Sequence, residues 1–413
     1  LSDIAETKSV RAWPFIVLAC CVCIVFLTYG SRQSFGIYLR PITAEYGWGV
    51  QTMSLALGIQ ALIYGLSAPF VGALADRFGT IKVLGFAGLL YGFGIFMMSQ
   101  STTPTSMILS AGFFGGIGSA GCALSLVLAI ASRVAPEEKR SLWLGLITSG
   151  GTGGQLVLVP LGAKIMEAHG WYPAMVALSI LVLLILPLAF IIKLSSGDIL
   201  TSKKDERGLK QALMEARHHH GFWLLAMGFF TCGFQVQYIN AHLPGYLQDQ
   251  GMAPIVAATA ISVIGVFNVF GTTLSGWLGG KYRKKYLLAS LYLGRSVIFI
   301  VFLMAPLSPM SVYIFAAAIG TLWLATVPLT SGIVLGMFGS RYMATLYGIV
   351  FFFHQVGSFT SVWIGGIVRD MTGNYMVAWW IIIVVGTAAS FLHWPIDDRP
   401  VEEVLADQGI ARA

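Results

Sequence analysis

Residues 83–132 contain no Asp, Glu, Lys or Arg, and neither do residues 296–340. Tracts of this kind cannot form the surface of a soluble domain, where about 25% of residues are charged. They suit a medium that accepts apolar side chains on every face, and the lipid bilayer is that medium. Lipid offers the backbone no hydrogen-bond partner, so each crossing must satisfy its own N–H and C=O groups, as a helix of ~20 mostly apolar residues does. The whole chain agrees, with 56% hydrophobic and 10% charged residues.

Twelve segments are long and apolar enough to span: 14–39, 51–72, 83–99, 105–131, 141–166, 171–193, 221–247, 254–278, 286–306, 310–337, 343–367 and 375–394. The first apolar run has no small-residue cleavage site and reads as a spanning helix rather than a removed signal. Twelve crossings put both termini on one side, and the Lys/Arg bias says which. Of the 25 basic residues, twenty fall on the side of the termini and two, Arg40 and Arg369, on the other. Three, Arg32, Lys164 and Arg295, fall inside predicted spans. The expectation is a multi-pass protein of the cell inner (plasma) membrane, monomeric, lipid-embedded, with both termini cytoplasmic. The net charge of +7 follows this topology, so it does not point to nucleic acid. The five cysteines, Cys20, Cys21, Cys23, Cys122 and Cys232, lie in apolar runs without disulfide or zinc spacing.

The longest polar interruption, 195–220, divides six spans from six. The sequence therefore predicts an all-α membrane protein with an N-terminal six-helix bundle over 1–193, a cytoplasmic linker over 194–220, and a C-terminal bundle with its tail over 221–413. His218, His219 and His220 read as a solvated patch at a helix mouth. The halves repeat. A shift of 203 aligns Gly145 with Gly348, Gly154 with Gly357, Gly162 with Gly365, Gly170 with Gly373, Gly30 with Gly233 and Pro41 with Pro244, while a shift of 204 places Gly72 and Leu74 on Gly276 and Leu278. Parallel repeats with a binding site at their interface serve alternating access.

The loop after the second span reads Gly72-Ala73-Leu74-Ala75-Asp76-Arg77-Phe78-Gly79-Thr80-Ile81-Lys82. It closely resembles the signature loop of the major facilitator superfamily, and that resemblance implies the fold of two pseudo-symmetric six-helix bundles. Gly72, Asp76, Arg77 and Gly79 are the expected gating residues. Small residues allow close helix approach, and the charges form breakable cytoplasmic contacts. In the second half, Gly276-Trp277-Leu278-Gly279-Gly280-Lys281 lacks the acid. A narrower resemblance rests on Gly30-Ser31-Arg32-Gln33-Ser34-Phe35-Gly36 with Pro41, which is similar to the monocarboxylate porter and oxalate/formate antiporter branch. It implies transport of small organic anions.

Arg32 is the leading candidate site residue. An intramembrane guanidinium is costly and is kept where it meets a cavity or a partner. Predicted spans carry Asp or Glu only at their ends, so a carboxylate arriving as substrate suits a bidentate pair with Arg32. The alternative is that Arg32 snorkels or bonds carbonyls. Tyr29 and Gln33 flank it. In the seventh span Thr231, Gln235, Tyr238 and His242 form one polar stripe at helical spacing, and the repeat places Gln235 opposite Arg32. His242 and His354 are candidate proton carriers, with polar packing as the other reading. Asn268 is a second-rank ligand, as are Gln60 and Tyr64. Arg295 is either a substrate or coupling residue or a structural arginine satisfied by carbonyls and hydroxyls. Lys164 snorkels outward. The string Gly116-Ile117-Gly118-Ser119-Ala120-Gly121 matches the dinucleotide-binding pattern but lies in a charge-free helix, so it reads as helix packing.

The resulting expectation is a secondary transporter, not an enzyme, moving a small organic anion such as a monocarboxylate with a proton as coupling ion. No cofactor, resident metal or catalytic constellation is implied. The alternative is an efflux pump for amphipathic compounds.

Overall fold

A computed structural model describes residues 2–136, 140–196, 209–338 and 343–407. Among the described residues every regular element is helical, and twelve helical segments are long and apolar enough to cross a membrane. They are α1 (Trp13–Tyr46), α2 (Val50–Gly72), α3 (Thr80–Ser99), α4 (Pro104–Ala131), α5 (Trp143–His169), α6 (Trp171–Ser195), α7 (His220–Asp249), α8 (Pro254–Gly279), α9 (Lys284–Met304), α10 (Pro309–Phe338), α11 (Leu346–Thr372) and α12 (Met376–His393). Short helices Leu209–His218 and Val401–Asp407 lie before α7 and after α12. Of the basic residues behind the expected topology, Lys139, Lys203, Lys204, Arg207, Arg341 and Arg412 lie outside the described residues.

The chain divides into two compact units, one of Leu1–Lys204 with Ala253–Ser262, the other of Asp205–Met252 with Val263–Ala413. The first break falls inside the polar stretch read as a linker, whereas the assignment of the first residues of α8 to the first unit has no signal in the sequence. Within the first unit α1 packs on α5, α2 on α4 and α3 on α6. The second repeats this with α7 on α11 and α9 on α12.

The aligned glycines explain the repeat physically. A side chain at Gly154 would run into the carbonyl of Phe26 on α1, and one at Gly357 into the carbonyl of Phe230 on α7. Gly30 and Gly233 face the backbone of Gly154 and His354 in the same way. These positions let α1 touch α5, and α7 touch α11, backbone to backbone, the contact that small residues permit in membranes. Gly170 and Gly373 end α5 and α11 with φ +87° and +73°, a region that glycine enters without steric cost. The dinucleotide-like string is helical packing, with Gly116 against Ile63, Gly118 against the Tyr91 backbone and Gly121 against Ala87.

The helices depart from the sequence expectation at several points: the second runs on through the expected loop to Phe78, and the eleventh to Thr372. The first was placed at 14–39, but its helix runs through Pro41 to Tyr46. The Trp171 indole fastens the added turn by donating to Glu45 Oε2 at 2.5 Å, and neighbouring packing lets membrane helices absorb a proline. The fourth and tenth are interrupted. Both begin with the same cap: Thr103 and Ser308 accept the N–H of Ser106 and Ser311, with Pro104 and Pro309 in the first turn. After it, α4 passes through a π-helical stretch, Ile108–Phe114, and breaks at Cys122–Ala123, while α10 breaks between Leu322 and Thr326. Pro328 accounts for part of the second break. It sits in the first turn of the restarted helix, where its missing N–H costs nothing.

Candidate functional site

In the first unit Arg32 lies midway along α1 and is half-buried. Its guanidinium carbon stands 4.5 Å from the centre of the Tyr64 ring on α2, and Tyr29 and Tyr91 also lie within its electrostatic reach. The Tyr91 hydroxyl accepts a hydrogen bond from Ser31 at 3.0 Å, so a residue adjacent to Arg32 fixes the ring from α3. A guanidinium over an aromatic ring is held by cation–π attraction, and its planar N–H fork is the geometry that reads a carboxylate. Gln33 donates to Gln155 of α5 at 3.3 Å, and Gly151 lies against the Tyr29 ring. Arg32, Gln33 and Tyr29 are thus brought together as expected of neighbours on one helix. Tyr64, second-rank in the sequence, supplies the closest ring. Tyr91 and Gln155 were missed; each is a polar side chain in an apolar tract, and nothing in their spacing singles them out.

Of the expected gating residues, Gly79 caps the helix that carries α2 on to Phe78, with φ +95°, and donates its N–H to Ala75 O at 3.0 Å. That conformation turns the chain directly into α3. A side chain on Gly72 would meet open space, so this glycine is not a close-contact point within its unit. Arg77 is exposed, 5.2 Å from the Phe78 ring centre. The side chain of Asp76 lies outside the described residues.

The polar stripe of α7 lies inside the second unit. Gln235, Tyr238 and His242 are 1%, 1% and 0% exposed. Gln235 donates to Ile382 O of α12 at 3.2 Å and accepts from Arg295 at 3.3 Å. The His242 Nε2–H donates to Val362 O of α11 at 2.8 Å, and its ring lies by Tyr238 and Tyr375. Arg295 of α9, 1% exposed, donates through Nε to Leu322 O at 3.0 Å and through Nη2 to Leu322 O at 2.7 Å and to Trp323 O. This is the structural arrangement weighed for Arg295 in the sequence. Asn268 Oδ1 accepts the Leu324 N–H at 3.0 Å. His354 of α11 is buried between Phe229 and Phe351, with ring centres 5.0 and 5.5 Å away. Lys164 is exposed, as snorkelling requires.

At the other end of the second unit, the stretch after α12 is tied back. Lys285 donates to Ile396 O at 2.8 Å, Arg283 pairs with Asp398 at 2.6 Å, and His219 Nε2–H donates to Arg399 O at 3.3 Å. The histidine run is therefore not uniformly solvated: His218 and His220 are exposed, but His219 is buried against Phe338. Burial lowers the His219 pKa, and the Arg399 carbonyl partly opposes this. Arg399 holds the Asp397 carboxyl well below the usual range, at about 2.

The model of the Major Facilitator Superfamily matches residues 21–362. Among curated proteins, the chain is 25% identical to the "Uncharacterized MFS-type transporter YcxA" of Bacillus subtilis over 381 residues, covering 89% of this chain and 91% of that one. It is 26% identical to monocarboxylate transporter 13 of Rattus norvegicus over 355 residues, covering 84% and 81%. Among solved structures, a bacterial homologue of the human lysosomal transporter Spinster, inward-facing and occupied, superposes with a TM-score of 0.77 at 17% identity, covering 93% of this chain and 97% of that one. A D-xylose-proton symporter gives 0.70 at 16% identity, covering 93% and 98%.

Proposed function

The chain belongs to the major facilitator superfamily, and from that premise we propose that it is a secondary transporter of a small monocarboxylate, coupled to a proton. Membership, the transporter fold and twelve membrane-length helices make it a multi-pass membrane protein that handles a small molecule. The choice of anion rests on one observation: a half-buried arginine midway along a membrane helix, its guanidinium carbon over the Tyr64 ring and with Tyr29 and Tyr91 near it. A permanent cation is kept at such depth where it serves a polar partner, and a guanidinium is the side chain whose fork fits a carboxylate. Kinship with a protein named monocarboxylate transporter 13 supports the reading.

In this proposal Arg32 pairs with the carboxylate, Tyr29 and Gln33 complete its surroundings, and Tyr64 lies against the guanidinium. Gln235, Tyr238, Asn268 and Arg295 shape the second unit instead of touching cargo. His242, whose Nε2–H donates to Val362 O, and His354 are the candidate proton carriers. Asp76 and Arg77 act at the gate, and the Lys/Arg asymmetry puts both termini in the cytoplasm of a cell whose inner membrane holds the protein.

The test is thermal unfolding of the purified protein against a panel of short monocarboxylates, dicarboxylates, sugars and hydrophobic cations. A ligand that binds the folded state at ~100 times its Kd stabilises by about 2.7 kcal/mol. Stabilisation by monocarboxylates that Arg32→Gln abolishes supports the proposal. Stabilisation by the cations, undiminished in Arg32→Gln, replaces it with efflux of amphipathic compounds.

A further inference from the structure

Between Leu322 and Thr326, α10 is not helical, and Leu322 O, Trp323 O, the Leu324 N–H and Ala325 O are each taken by a side chain from another helix of the same unit. Arg295 of α9 covers Leu322 O and Trp323 O. Asn268 of α8 accepts the Leu324 N–H at 3.0 Å, and Ser275 of α8 donates to Ala325 O at 2.5 Å. Cys232 of α7 lies 3.2 Å from the Thr326 hydroxyl. Irregular backbone at membrane depth survives only where protein or trapped water satisfies it. Here the satisfaction comes from three helices converging on one joint.

A guanidinium suits this place for two reasons. The last carbonyls of a helix have no partner within it and carry the negative end of its dipole, so a cation there is favoured. Its rigid fork also spans several acceptors at once, which an ammonium cannot do. A third guanidinium donor reaches Gln235 Oε1 at 3.3 Å, and Gln235 is in turn anchored to Ile382 O of α12. The joint is thereby linked to α7 and α12 as well as α9.

The other unit provides an internal comparison. Its α4 is also interrupted, at Cys122–Ala123, yet the shift of 204 that aligns the halves puts Tyr91 where Arg295 stands. The shift of 203 puts Arg32 where Gln235 stands. Each unit carries a guanidinium near this level of the repeat, but on different helices and with different neighbours.

We propose that Arg295 is a positioning residue: with Asn268 it fastens the interruption of α10 in one geometry, and turnover of the transporter depends on that fastening, not on contact between Arg295 and cargo. Alternating access requires helices to move as defined levers. A joint with satisfied carbonyls transmits displacement from one half of α10 to the other, and a joint with released carbonyls does not.

The experiment compares the full-length wild type with Arg295→Met, Arg295→Lys and Asn268→Ala, by amide hydrogen exchange and by uptake of radiolabelled lactate into proteoliposomes. Exchange over residues 322–328 should rise about tenfold in Arg295→Met and Asn268→Ala, less in Arg295→Lys, and stay unchanged around Cys122. Lactate kcat should fall about tenfold in Arg295→Met with KM within about twofold, and Arg295→Lys should recover part of it. A raised KM at preserved kcat makes Arg295 a cargo contact and overturns the proposal, as does wild-type exchange over 322–328 in both Arg295→Met and Asn268→Ala. If Arg295→Met does not fold, Asn268→Ala carries the same expectations with the cation in place. If the wild type does not take up lactate, the carboxylate reading fails, and the exchange comparison alone decides the joint.

Discussion

Replacing Gly154 by alanine is the sharpest test of why the two halves repeat. An ideal Cβ at this position would stand 2.7 Å from the Phe26 carbonyl carbon and 3.0 Å from its Cα, where carbon atoms ordinarily approach to about 3.5–4.0 Å. The atoms in the way are backbone, so α1 and α5 must part by roughly 1 Å. Overpacking of this kind costs about 1–3 kcal/mol, and the better helix propensity of alanine returns up to ~1 kcal/mol. The net loss of about 0–2 kcal/mol corresponds to a melting temperature lower by up to roughly 8 °C at 2–4 °C per kcal/mol, and the gap to an alanine control without the clash is the full cost of about 1–3 kcal/mol. Gly357→Ala should behave alike, since its Cβ would lie 2.9 Å from the Phe230 carbonyl carbon and 3.1 Å from the Phe234 nitrogen. The repeat supplies matched controls: at Gly145 and Gly348 a Cβ meets nothing within 4 Å, so alanine there should be neutral or stabilising. A thiol-reactive dye reads the unfolding, because Cys20, Cys21, Cys122 and Cys232 are buried in the folded protein. Equal melting temperatures for Gly154→Ala and Gly145→Ala would refute the close-contact explanation of the aligned glycines.

Two further outcomes follow from charge pairs. Arg369 and Asp249 pair at 2.6 Å with side chains 19% and 13% exposed, so Arg369→Ala removes a charged partner from a largely covered carboxylate and should cost about 1–3 kcal/mol; the double variant with Asp249→Asn should recover part of it, and equal losses in the single and double variants would remove the pair as the cause. Asp397 has its pKa lowered to about 2 by Arg399, below the ~3.9 of an unfolded chain, so its stabilisation is complete above about pH 5 and fades as pH falls toward 2. The melting-temperature gap between wild type and Asp397→Asn should be flat from about pH 5 to 8 and narrow below about pH 4; a gap that widens on acidification would contradict the assigned direction.

The fold was legible because lipid imposes one rule on every segment. Long apolar segments located all twelve spans, and the aligned glycines marked where helices touch in both halves. What escaped was decided by contacts distant in sequence. Pro41 looked like a helix end because the Trp171 bond to Glu45 that carries α1 on to Tyr46 joins residues from two different spans. The interruption of α10 lies in Leu322-Trp323-Leu324-Ala325, which contains no glycine or proline, and only Pro328 beyond it hints at a restart. Polar residues on α7 and α8 resembled cargo ligands for the same reason: a buried asparagine serving a helix break and one serving a substrate have the same composition and spacing. Arg32 stood out because an intramembrane cation is rare, whereas Tyr91 was hidden by being one tyrosine among 15.

The central claim is best tested by carboxylate uptake into proteoliposomes bearing wild type, Arg32→Lys or Arg32→Gln. Loss of a desolvated charge partner costs about 2–5 kcal/mol, so KM for the best monocarboxylate of the panel should rise at least ~30-fold in Arg32→Gln, with Arg32→Lys intermediate because it keeps charge without the fork. Wild-type uptake by both variants would contradict the account of Arg32 as the anion's partner.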